Sequence, residues 1–90
     1  MLTVKFVFSD LLDLQRFIDA DLDGVFVETY DEGSYKEKKL AYKLKSSCGA
    51  RKTPFAAVFD GDELIKAFYT EVDSNIIKSL IEYLHDSKRN

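Results

Sequence analysis

The sequence has few of the residues that cross-link a small protein, bind metals or mark turns: one cysteine, one proline, four glycines, one histidine and no tryptophan in 90 residues. A single cysteine excludes an internal disulfide, and a single histidine, His85, leaves too few ligands for a zinc site and no pattern for a catalytic triad. The sequence has no positively charged start followed by a long apolar run, the pattern that would indicate a signal peptide or a membrane span. We therefore expect a cytoplasmic protein that uses no metal or cofactor and does not associate with a membrane.

Apolar residues are plentiful enough to form a core without disulfides. They make up 46% of the chain, which includes seven phenylalanines. The length fits one compact unit. We predict a single domain over residues 1–90, in which residues 86–90 form a frayed tail.

Charge is unevenly distributed along a chain whose formal net charge is −3. Residues 9–32 contain eight acids and one base, whereas residues 36–52 contain seven bases and one acid. The acids are not spaced as in a calcium-binding loop, so they predict no metal site. Asp10 and Asp13, one helical turn apart, are better explained as a helix cap and a first-turn acid than as a catalytic pair.

The first part of the chain predicts a strand, a helix and a second strand. Residues 3–8 and 25–30 are short runs rich in β-branched and aromatic residues. Between them, helical spacing of apolar residues predicts a helix from about Asp10 to Ala20, with Ser9 or Asp10 as its N-cap. The apolar stripe of this helix comprises Leu11, Leu14, Phe17, Ile18 and Leu22. Two strands joined by a helix predict a right-handed parallel crossover.

The rest of the chain predicts a helix, a hairpin and a final helix. Residues 34–37, Ser-Tyr-Lys-Glu, have capping-box spacing and predict the start of a helix that ends at Gly49. Asp60-Gly61-Asp62 between two apolar runs predicts a hairpin. The second helix is expected to bury Leu40, Ala41, Leu44 and Cys48 and to point its lysines outward; the last helix, capped by Asp73 or Ser74, is expected to bury Ile77, Leu80, Ile81 and Leu84.

The run CGARKTPFAAVFDGDELIKAFYTEVDSNIIKSLIEYL, residues 48–84, resembles thioredoxins and glutaredoxins in its helix end, Thr-Pro, apolar strand, Asp-Gly turn, second strand and closing helix. The resemblance covers nearly the whole chain. It implies a thioredoxin-like α/β fold of order β-α-β-α-β-β-α, with a four-stranded mixed sheet and helices on both faces. It also implies that the bond before Pro54 is cis and that Thr53 and Pro54 form a ligand-facing edge.

The chemistry of this family requires a cysteine at the start of the helix after the first strand, where the helix N-terminus lowers the pKa of the thiol. This chain has Ser-Asp-Leu-Leu-Asp there, at residues 9–13. The family also uses a glycine-containing turn before the last helix to bind glutathione, and YTEVDSN, residues 69–75, has no glycine. Dithiol or monothiol turnover at this site is therefore not expected.

Cys48 has two interpretations. It could be a displaced reactive thiol, because Arg51 and Lys52 nearby would favour the thiolate. Alternatively it is an inert core residue, because it lies on the apolar stripe and at a helix C-terminus, where the dipole disfavours an anion. The second interpretation is preferred, and a single-cysteine thiol-disulfide protein remains the alternative function.

The lysine-rich helix is the most unusual surface feature, because clustered cations attract anionic partners. We predict a redox-inactive thioredoxin-like module that binds a protein with an acidic surface, and nucleic acid is less favoured because the pI is about 5.1. A merely solvated helix face, a structural subunit and a homo-oligomer that pairs head to tail are the alternatives. The predicted binding residues are Thr53, Pro54, Lys39, Lys43, Arg51 and Lys52.

Overall fold

The computed structural model describes residues 1–18, 22, 24–69 and 74–89. Their secondary structure has the predicted order β-α-β-α-β-β-α. The elements are β1 (Leu2–Phe8), α1 (Leu11–Ile18), β2 (Phe26–Asp31), α2 (Lys38–Cys48), β3 (Phe55–Asp60), β4 (Glu63–Phe68) and α3 (Ser74–Arg89).

The four strands form one mixed sheet in the order β2-β1-β3-β4. β1 is parallel to β2, antiparallel to β3, and β3 is antiparallel to β4. The β3–β4 hairpin turns at Gly61, whose φ of 61° lies in the left-handed region that glycine tolerates. The predicted four-stranded mixed sheet is therefore confirmed, with β2 and β4 at its edges.

The larger core lies between the sheet and the two helices α1 and α3. Phe17 of α1 stacks on Phe6 of β1, with ring centroids 4.2 Å apart. Ile77 and Ile81 of α3 are buried against the same face of the sheet, as predicted. Burying side chains of this size stabilises the fold by about 1.5–3 kcal/mol each.

The smaller core lies on the opposite face, under α2. Ala41 and Cys48 of α2 pack with Val7, Phe55 and Ala57 of the two central strands. The small side chains of Ala41 and Ala57 allow the helix to approach the sheet closely. Helices therefore cover both faces, but a single helix covers this one.

Two predicted apolar stripes are narrower than expected. In α1, Phe17 is buried and Leu14 half-buried, whereas Leu11 and Ile18 are more than half exposed. An eight-residue helix makes little more than two turns, so its end residues lie beyond the turn that packs on the sheet. In α2, Leu40 is 56% exposed, because Ala41 rather than Leu40 faces the core.

The predicted capping box at residues 34–37 is wrong. Helix α2 begins at Lys38, and its N-cap, Glu37, makes no side-chain cap hydrogen bond. The carboxylate of Glu37 instead accepts a hydrogen bond from the backbone N–H of Asp31, over 3.3 Å. It therefore fastens the end of β2 rather than the start of a helix.

The other helix ends agree better with the sequence. Asp10 caps α1, since its Oδ1 accepts a hydrogen bond from the N–H of Leu12 over 2.9 Å. Gly49 ends α2 with a φ of 74°, as predicted. Helix α3 continues to Arg89 and so includes residues 86–89, which were predicted to form a frayed tail. The predicted cap Asp73 and the predicted helix end Ala20 lie outside the described residues. No helix in the described part of the chain is both long and apolar enough to span a membrane.

Candidate binding surfaces

The first candidate surface is the edge formed by the residues before β3. The peptide bond between Thr53 and Pro54 is cis, and both residues are half-buried. The hydroxyl of Thr53 lies 2.9 Å from that of Ser9, and either oxygen can donate the hydrogen bond. This bond ties the segment before β3 to the turn between β1 and α1, across 44 residues of sequence.

The start of α1 beside this edge is apolar and carries no thiol. Leu11 and Leu12, the first two residues of the helix, are 71% and 65% exposed. Ser9 is bonded to another hydroxyl rather than to an imidazole or carboxylate, so the bond supplies no base that would activate it as a nucleophile.

Cys48 lies in the smaller core and is 7% exposed. Burial raises the pKa of its thiol, and the charge of Lys5 partly opposes that shift. The predicted influence of Arg51 and Lys52 is not found, because the cation that acts on Cys48 is Lys5 of β1, on the face of the sheet that α2 covers. The preferred interpretation of Cys48 as a buried core residue agrees with this environment.

Tyr69, the residue after β4, holds the backbone at Cys48 in place. The hydroxyl of Tyr69, just after β4, donates a hydrogen bond to the carbonyl oxygen of Cys48. The Tyr69 ring also stacks on Phe55, with centroids 6.2 Å apart. Tyr69 therefore links the C-terminal end of α2 to Phe55 of β3.

The second candidate surface is the outer side of α2. Lys39 and Lys43 are exposed and line a shallow concavity around Tyr42, which is 67% exposed. A second concavity joins Tyr42 to Arg51 in the loop after the helix. We call Lys38, Lys39, Tyr42, Lys43 and Arg51 the basic face.

Two predicted parts of this surface lie elsewhere. Lys52 is exposed but lines neither concavity, and neither do Thr53 and Pro54. Lys39 and Lys43 therefore line one concavity and Arg51 lines the other, and the two concavities share Tyr42.

Lys45 was expected to point outward with the other lysines and instead forms an ion pair. Its Nζ lies 2.5 Å from Oε1 of Glu32, and the two side chains are 12% and 25% exposed. By contrast, Lys39, Lys43 and Arg51 take part in none of the ion pairs found among the described residues. Their charges are therefore available to an anionic partner.

Sequence reasoning missed a groove between α2 and the part of the sheet that this helix leaves uncovered. It is lined by Lys5, Tyr30, Leu40, Lys43, Leu44, Ser47 and Phe59 and has a volume of about 270 Å³. Four separate elements, β1, β2, α2 and β3, supply these residues. The only signal in the sequence was Lys5, a charged residue within an otherwise apolar strand.

Sequence reasoning also missed the position of His85. A methyl group placed on Gly24 would lie 3.0 Å from Cε1 of His85, so the imidazole packs directly against the glycine backbone. His85 is half-buried rather than in a solvated tail. Across the residues that the structure describes, no three His, Cys, Asp or Glu side chains converge as metal ligands.

No family model matches the chain, and no curated protein matches it. Among solved structures, it is similar to a mutant thioredoxin from Halobacterium salinarum NRC-1, with a TM-score of 0.68 and 19% sequence identity. The match covers 91% of this chain and 73% of the thioredoxin. The fold is therefore thioredoxin-like.

Proposed function

We propose that this thioredoxin-like domain, which has no thiol at the start of α1, is a redox-inactive module that binds a protein with an acidic surface. The basic face supplies the electrostatic attraction, and the Thr53–Pro54 edge supplies a second contact. The observation that carries the proposal is the group of unpaired cations on α2 and in the loop after it. Lys39 and Lys43 line one concavity beside the exposed Tyr42, Arg51 lines another beside it, and none of the three has an acidic partner among the described residues.

Redox inactivity is supported by the state of the single thiol. Cys48 is buried, and its pKa is raised, so little thiolate forms near neutral pH. At the position where the fold family carries its nucleophile, Ser9 is bonded to Thr53 and is followed by Asp10 and two leucines. The chain therefore offers neither a second thiol nor an activated first one.

An acidic protein fits the basic face better than nucleic acid does. The face combines lysines with the exposed ring of Tyr42, so a partner can offer apolar groups as well as carboxylates. With a pI of about 5.1, the domain is negatively charged at neutral pH, so the rest of its surface would repel a polyanion. A protein partner can place its acidic groups locally and avoid this repulsion.

Charge reversal on α2 tests the proposal. We expect a fluorescein-labelled polyglutamate peptide to bind the wild-type protein in low salt and to bind Lys39→Glu/Lys43→Glu on the order of tenfold more weakly. Lys66→Glu/Lys78→Glu changes the net charge by the same amount at two exposed lysines outside α2; it is the matched control and should bind as the wild type does. Binding should weaken with added salt, because exposed charges are screened.

Three results would count against the proposal. Equal binding of the α2 variant and the wild type would show that the basic face is not the site. Tighter binding of oligo(dT) than of polyglutamate would favour nucleic acid. Salt-dependent self-association on size-exclusion chromatography, lost in the α2 variant, would show that the basic face pairs with an acidic region of a second copy.

A further inference from the structure

The groove beneath α2 has an apolar wall and a basic rim. Leu40 and Leu44 project from the helix, and the half-buried ring of Phe59 lies on the sheet. Lys43 stands on the helix side, and Lys5 on the sheet side, with its Nζ 4.9 Å from the centroid of the Phe59 ring. An apolar surface and two ammonium groups therefore meet in one concavity.

The charge of Lys5 is only partly satisfied. Its Nζ lies 3.8 Å from Oε2 of Glu28, which is too long for a hydrogen bond. The same carboxylate oxygen accepts a hydrogen bond from the hydroxyl of Tyr30 over 2.9 Å. An ammonium group has three N–H donors, so Lys5 can still donate to an incoming carboxylate.

Lys43 is the second anchor. It is exposed and belongs to no ion pair of the described residues, and it lines both the groove and the outer concavity of α2. The groove is therefore continuous with the basic face. An anion attracted to the outer side of α2 meets the groove at the same lysine.

We propose that this groove binds an acidic segment of the partner protein, with one carboxylate between Lys5 and Lys43 and an apolar side chain against Leu40, Leu44 and Phe59. The inference rests on the proposed function and names the chemistry that the partner must present. In an extended chain, alternate residues point to the same side, so the carboxylate and the apolar side chain are two residues apart. A purely acidic segment would leave the apolar wall in contact with water.

Two peptides of equal charge test the groove on the whole protein. One repeats Glu-Ser-Leu-Ser and the other repeats Glu-Ser-Ser-Ser, and both carry fluorescein. We expect the leucine peptide to bind the wild type on the order of tenfold more tightly, because a leucine side chain leaves water. In the spectrum of the ¹⁵N-labelled protein, it should shift the amide signals of Leu40, Ser47 and Phe59.

Variants separate the groove from the basic face. Leu40→Ser should remove the preference for the leucine peptide, whereas Ile76→Ser, an exposed apolar residue of α3, should keep it. Lys39 does not line the groove, so Lys39→Glu should weaken both peptides equally. Because Leu40 is 56% exposed, its replacement should leave the fold intact.

The outcomes distinguish the two proposals. Equal affinity for both peptides, with weaker binding to Lys39→Glu, would overturn the groove and leave the basic face standing. If neither peptide binds, both the groove and the basic face are ruled out as binding sites. Groove amide shifts that grow with protein concentration in the absence of peptide would show that a second copy occupies the groove, which also overturns the proposal.

Discussion

The hydroxyl oxygens of Ser9 and Thr53 lie 2.9 Å apart and join the turn before α1 to the residue before Pro54. In a redox-active member of this fold, a thiol belongs near the start of this helix. Here two hydroxyls bond to each other, and the adjoining helix turn presents leucines. The hydrogen bond therefore holds together two segments that are 44 residues apart in the sequence.

This junction predicts a measurable coupling between the two residues. We expect Ser9→Ala and Thr53→Val each to lower the free energy of unfolding by about 0.5–1.5 kcal/mol, since each removes the same hydrogen bond. The double variant should lose less than the sum of the two. Urea unfolding of the four proteins measures this, and additive losses would show that the bond contributes nothing in solution.

The contact between Gly24 and His85 predicts that three glycines with positive φ respond differently to alanine. Gly24, Gly49 and Gly61 have φ values of 75°, 74° and 61°, so each alanine is strained by about 1–2 kcal/mol. At Gly24 the new methyl group also meets His85, whereas nothing lies within 4 Å at Gly49 or Gly61. Gly24→Ala should therefore have the lowest melting temperature.

Removing the imidazole separates the clash from the backbone strain. His85→Ala should partly restore the stability of Gly24→Ala and should give no such rescue of Gly49→Ala. Equal melting temperatures for the three alanine variants would contradict the packing of His85 on Gly24.

Tyr30 predicts a loss of stability at high pH. Burial, followed by the hydrogen bond and charge of Glu28, raises the pKa of its hydroxyl from 10.0 to about 12. The folded protein keeps this proton while the unfolded chain loses it. The contribution is therefore fully present below pH 10 and is lost as the pH rises towards 12.

The matched variant for this prediction is Tyr30→Phe. Between pH 10 and 12, the wild type should lose on the order of 2 kcal/mol more unfolding free energy than Tyr30→Phe does. Urea titrations at fixed pH values compare the two. Parallel pH profiles would show that Tyr30 titrates alike in the folded and unfolded chains.

Much of the fold follows from local patterns in the sequence. The alternation of short apolar strands with residues at helical spacing gave the element order, and Gly49 and Asp60-Gly61 marked a helix end and a turn where they occur. The capping box failed because a Ser-x-x-Glu spacing does not say which backbone N–H the glutamate will reach. Here it is that of Asp31 in the preceding strand.

The candidate surfaces were less predictable because they depend on contacts between distant segments. Lys39, Lys43 and Arg51 could be grouped from the sequence, since a helix and its following loop keep them close. The pairing of Lys45 with Glu32, and the approach of Lys5 to α2, require the sheet to be in place. That Thr53 lines neither concavity of the basic face is likewise not visible until the sheet is in place.

The reactivity of Cys48 tests the central claim, a redox-inactive module, most directly. Its alkylation should be measured in the folded protein across a range of pH and compared with the same chain in denaturant. We predict slow labelling until the chain unfolds and an apparent thiol pKa above the ordinary value of about 8.5, because burial disfavours the thiolate. Rapid labelling of the folded protein with a pKa well below that value would mean an activated thiolate, and the protein would then be a thiol protein with a relocated cysteine.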